Sequence, residues 1–143
     1  MTVDDQIIEQ ARSSDPDARQ KAAALVAQSA DERTLPLMFE LLGDKDWRVR
    51  KTIVDGLVRD ARPDVVNGLL NALSDPENAG KRNSSTEALV RIGEAAIQPI
   101  VDRLRREQDI DVRLSLVNLI GDLRSVEGFD MLLDLLEKEG DIN

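Results

Sequence analysis

Apolar residues along the chain fall in short helical runs, and the runs themselves recur. After Arg19 come Ala22, Ala23 and Val26. After Arg50 come Ile53, Val54 and Leu57; after Arg82 come Ser85, Thr86 and Leu89; after Arg113 come Leu116, Val117 and Ile120. Each set is small or apolar and lies at +3, +4 and +7 from its arginine, which gathers it on one side of an α-helix. A second series follows in every unit: Leu35, Met38, Phe39, Leu42; Val66, Leu69, Leu70, Leu73; Ile97, Ile100, Val101, Leu104; Phe129, Leu132, Leu133, Leu136. The arginines are 31, 32 and 31 residues apart, and the leading residues of the second series are 31, 31 and 32 apart. Two independent series keeping one period predict a repeat.

Each unit therefore reads as two helices joined by a short polar reversal. The units run over residues 15–43, 44–74, 75–108 and 109–139, with a polar tail at 140–143. Shifting the second series back by one period places Ile7, Ile8 and Ala11 on it, so residues 3–13 read as a lone second helix covering the first unit. The expected fold is all-α: one domain over 1–143, an α-solenoid of about nine helices. A single hairpin cannot bury its own stripes, whereas stacked hairpins form a continuous core that small rotations bend into a superhelix.

Capping residues agree with these limits. Asp15-Pro16 and Asp75-Pro76 place an acceptor ahead of a proline that needs no N–H, and Asp46 and Asp109 stand at the matching points of the other units. Thr34 and Ser125 are expected to cap second helices, and Gly43 and Gly93 to sit at helix ends. Unit three departs from the pattern. Asn78 replaces the aspartate four before the arginine, and Glu77 to Ser84 is a long polar lead. Ser84 and Glu87 have capping-box spacing, which predicts a late helix start after a loop insertion or a binding loop.

Composition narrows the chemistry. Hydrophobic residues make up 41%, charged residues 33% and aromatics only 2%, a balance that suits packed helices better than a sheet. There is no Cys and no His, which excludes disulfides, thiolate metal sites and any Ser-His-Asp triad. The acid pairs Asp44/Asp46 and Asp109/Asp111 do not continue as calcium loops, because Arg48 and Arg113 occupy positions that need oxygen ligands. Repeated Asp and Arg read as a structural ladder between units. No catalytic, cofactor or metal residues are assigned. A net charge of −9 argues against nucleic acid, and no apolar run is long enough to span a membrane. With no leader-like start and no cysteine, a cytoplasmic location is expected.

Val49-Arg50, Val112-Arg113, Ala18-Arg19 with Ala22-Ala23, and Glu87-Ala88-Leu89-Val90-Arg91-Ile92-Gly93 resemble the bacterial HEAT-like repeat, the short form also found in phycobilin lyases. The resemblance covers about residues 14–139 and rests on packing positions. It implies second helices along a concave side that binds a partner. The second-helix row opposite the core supplies Glu40, Asn67, Asn71, Gln98, Asp102 and Asp134, acidic with amides in the middle. This suits a basic or amide-rich peptide or protein. The expected function is a non-enzymatic protein-binding scaffold. Two alternatives are a phycobilin-lyase-type factor handling a chromophore or phycobiliprotein, and a regulatory subunit of a larger enzyme. The last helix is apolar nearly all round. Met131 and Leu135 either pack back on unit three or form an association surface for a second copy or a partner.

Overall fold

In the computed structural model, which describes residues 3–28 and 31–140, every regular element is helical. The order is α1 (Val3–Ala11), α2 (Pro16–Gln28), α3 (Leu35–Leu41), α4 (Trp47–Arg59), α5 (Pro63–Leu73), α6 (Ala79–Ile92), α7 (Glu94–Arg106), α8 (Ile110–Leu123) and α9 (Val126–Gly140). These are a half-unit and four helix pairs in chain order, and the fold is an all-α solenoid. Of the expected tail, Gly140 closes α9 and residues 141–143 lie outside the described residues.

Helix starts follow side-chain chemistry. Asp46 accepts from the Arg48 N–H, and Asp109 from those of Asp111 and Val112. Ser125, itself buried, accepts from the Gly128 N–H at 3.1 Å. Thr34 does not cap α3. Its hydroxyl closes on the backbone of Asp31, while the Asp31 carboxylate takes the N–H groups of Arg33 and Thr34. An aspartate three residues earlier thus takes the role expected of the threonine.

Unit three corrects a second expectation. Its polar lead is helical from Ala79, with no long loop. Asn78 Oδ1 accepts from the Lys81 N–H at 2.9 Å and starts the helix, and Asn78 Nδ2 donates to the Gly43 carbonyl at 3.0 Å. The Ser84/Glu87 box is not used for capping. Ser84 and Ser85 are buried inside the helix, where the Ser85 hydroxyl donates to the Lys81 carbonyl at 2.7 Å. That local bond satisfies a buried polar group, so a serine-rich stretch can face the packing side.

The chain divides into two compact units, Met1–Ala88 and Leu89–Asn143. In the first, α2 packs on α1, α3 and α4, and α3 packs on α4 and α5. Its core holds Ala22, Ala23, Val26, Met38, Leu42, Ile53, Val54, Leu57, Leu69 and Leu70. Gly56 lets α4 approach α2: a Cβ there would stand 2.8 Å from the Ala27 Cβ. In the second unit α7, α8 and α9 pack on one another around Ile97, Ile100, Val101, Leu104, Leu116, Leu119, Ile120, Leu132 and Leu135.

Candidate functional site

The second helices α5 and α7 bury their apolar stripes and leave polar residues outside. In the first unit α3 and α5 lie side by side, with the Phe39 ring against Gly68. Their exposed row carries Glu40, Asn67 and Asn71. Glu40 is held by Arg12 at the end of α1, whose Nε and a terminal nitrogen each donate at 3.1 Å. In the second unit Gln98 and Asp102 on α7 and Asp134 on α9 are exposed. Gln98 Nε2 donates to Asp102 at 2.8 Å, Arg105 reaches Asp102 at 3.4 Å, and Lys138 meets Asp134 at 3.0 Å. The six expected residues are thus all at the surface, Glu40 with Asn67 and Asn71 on α3 and α5, and Gln98 with Asp102 on α7. Exposed pairs of this kind contribute little and exchange readily for a partner's charges.

The last helix is turned from its expected orientation. Leu135 is buried and Met131 half-buried. The exposed apolar residues are Val126, Phe129, Leu133 and Leu136, three of which were expected in the core. Gly128 is the cause. A Cβ there would meet the Ile97 side chain at 3.3 Å, so the glycine face is the one that comes closest to α7. Leu132 and Leu135 lie on that same face.

The periodic arginines have a role the sequence did not reveal. Each reaches back to backbone carbonyls in the last turn of one second helix or in the link to the next first helix. Arg19 donates to Ser13 and Ser14, Arg50 to Asp44 and Lys45, Arg82 to Asp75, and Arg113 to Leu104 and Glu107. Two also bind an acid farther on. Arg19 takes Asp44 at 2.8 and 3.2 Å, and Arg113 takes Glu139 at 2.6 Å. The ladder between units therefore uses Asp44. Asp46, the aspartate four before the arginine, is held mainly by Arg48, which also reaches Asp17 on α2 at 3.2 Å. The only sequence signal was the period itself, because a carbonyl acceptor leaves no residue signature.

Three carboxylates are shifted by the hydrogen bonds they accept. Asp46 is held below the usual carboxylate range by the Arg48 guanidinium and by the Arg48 N–H. Asp31 is lowered by the N–H groups of Arg33 and Thr34, and Asp75 first by that of Glu77. Among the described residues no group of three or more carboxylates could hold a metal ion, and no helix is long and apolar enough to cross a membrane. Trp47 is 63% exposed and stands with Arg50, Lys51 and Asn83 at an open groove of about 330 Å³. The polar lead of unit three thus borders that groove as helix surface.

A family model for HEAT repeats matches residues 5–90, from α1 through most of α6. No curated protein matches the chain.

Proposed function

Because the chain belongs to the HEAT-repeat family, we propose that it is a non-enzymatic docking module that grips another protein along the exposed rows of its second helices. The observation that supports this most is the row itself. Asn67 and Asn71 stand exposed on α5 beside Glu40 on α3, and Gln98, Asp102 and Asp134 are exposed on α7 and α9. Amides give and accept hydrogen bonds, so Asn67 and Asn71 on α5 suit a peptide backbone. The acids suit flanking lysines or arginines. The partner is a protein or peptide carrying basic residues, and the setting is cytoplasmic. The lack of Cys and His favours binding over catalysis.

The test is cross-linking and affinity capture from the source cells, with the native chain beside two variants. One carries Asn67→Lys and Asn71→Lys, the other Asp102→Lys and Asp134→Lys. All four positions are exposed, so the helical circular dichroism should persist. The expected result is cross-links on α5, α7 or α9 and loss of the captured protein in at least one variant. An unchanged captured set in both variants would refute the row as the binding surface.

A further inference from the structure

The open face of α9 has a pattern of its own. Val126, Phe129, Leu133 and Leu136 are 78%, 56%, 44% and 50% exposed. Their spacing of three, four and three residues is that of a coiled-coil seam. Inside the first unit the corresponding face is covered: Phe39 of α3, one stripe position with Leu133, lies against Gly68 of α5. On α9 the same positions face solvent.

One flank of the seam is acidic throughout. Glu127, Asp130, Asp134 and Glu137 each follow a seam residue by one position and are exposed, while Leu132 and Leu135 on the other side are buried. The nearby Lys138 is held by Asp134 at 3.0 Å. We propose that the Val126–Phe129–Leu133–Leu136 seam of α9 docks an amphipathic helix of a partner protein whose apolar stripe is flanked by lysines or arginines. Charge decides the occupant. A second copy would bring the same acids to the contact, and like charges along a seam oppose pairing, whereas a basic flank meets Asp130 and Glu137 directly. The apolar residues then supply the attraction, and the acids supply orientation and choice of partner. The flank shares Asp134 with the polar residues described above, while the four apolar seam residues lie outside that set.

The test uses the full chain and labelled synthetic helical peptides of about two heptads, followed by fluorescence anisotropy. One peptide has leucines at seam positions and lysines on the flank. A second keeps the leucines and carries glutamates, and a third keeps the lysines with serines at the seam. The expected result is binding of the first peptide alone, weakening as salt is raised. Phe129→Ser with Leu133→Ser should lower its affinity by about tenfold or more, and both positions are exposed enough to leave the fold intact. Asp130→Lys with Glu137→Lys should move the preference to the acidic peptide. The proposal is overturned if the two leucine peptides bind alike, if the seam substitutions change nothing, or if no peptide binds at about 1 mM. It is also overturned if the native chain sediments as a dimer that these substitutions separate, which would make a second copy the occupant.

Discussion

Arg19 and Asp44 form a two-pronged ion pair across the first hairpin, Nε to one carboxylate oxygen at 2.8 Å and a terminal nitrogen to the other at 3.2 Å. Their side chains are only 15% and 8% exposed. Asp44 also accepts from the Asp46 N–H, and Arg19 also donates to Ser13 and Ser14, so the pair ties two loop regions together. Removing one partner leaves a poorly solvated charge behind. Arg19→Ala or Asp44→Ala is expected to cost about 2–4 kcal/mol, measured by urea unfolding. Arg19→Lys should recover only part of this, because an ammonium cannot match the fork. In a double-mutant cycle the two losses should be clearly less than additive; additive losses would show that the pair is not coupled.

Acid should loosen the helix starts. Asp31, Asp46 and Asp75 are all lowered in the folded chain by hydrogen bonds from N–H groups or from Arg48. A carboxyl whose folded value lies below its unfolded value stabilises fully above the unfolded value, near 3.9 for Asp. That contribution is lost as pH falls through the folded value. The melting temperature should therefore hold at mildly acidic pH and fall below about pH 4. Asp46→Asn keeps a side-chain oxygen for the Arg48 N–H and removes the titration. It should flatten the acid limb relative to the native chain, and an unaltered limb would exclude Asp46 as a contributor.

The hairpins and their order could be read from the sequence because burial repeats. An apolar stripe that recurs at a fixed period has one economical arrangement, neighbour on neighbour. The aspartate caps were legible for a local reason: acceptor and donor lie within three residues. Other features depended on contacts that spacing does not encode. Leu132, Leu133, Leu135 and Leu136 allow two apolar stripes on α9, and the close approach of Gly128 to Ile97 selects between them. Asn78, read as a departure from the pattern, starts α6 and reaches the Gly43 carbonyl, and that acceptor has no side-chain identity to recognise. The polar row was legible as positions opposite the core. The Arg12–Glu40 pair was not, because it joins α1 and α3, whose contact the sequence leaves open.

Two helical glycines should respond in opposite directions. At Gly56 an added Cβ would stand 2.8 Å from the Ala27 Cβ, 3.1 Å from its Cα and 3.2 Å from the Met38 methyl, so α2 and α4 would have to separate. Gly56→Ala is expected to destabilise by about 1–3 kcal/mol. At Gly121, in the last turns of α8, nothing lies within 4 Å of the added atom. Gly121→Ala should stabilise by about 0.5–1 kcal/mol through helix propensity. Thermal melts of the two variants check the pair; a loss at Gly121 or a gain at Gly56 would contradict the packing described.

Gly93 and Arg124 stand one period apart and both carry a positive φ, 77° and 52°. Each closes the first helix of its unit, where a left-handed residue lets the chain reverse into the second. Gly93 has ψ −131°, a combination that a residue with a Cβ adopts only under strain. Arg124 has ψ 33°, the ordinary left-handed well, which still penalises an L-residue by about 1 kcal/mol or more. The unit with arginine therefore bears a strain that the unit with glycine avoids. Arg124→Gly is expected to raise stability by up to about 1 kcal/mol, the relief being partly offset by the freer unfolded chain. Gly93→Ala is expected to lower it by about 1–3 kcal/mol. Chemical denaturation of both variants decides the matter: equal effects of the same sign would mean that the two turns do not share a conformational requirement.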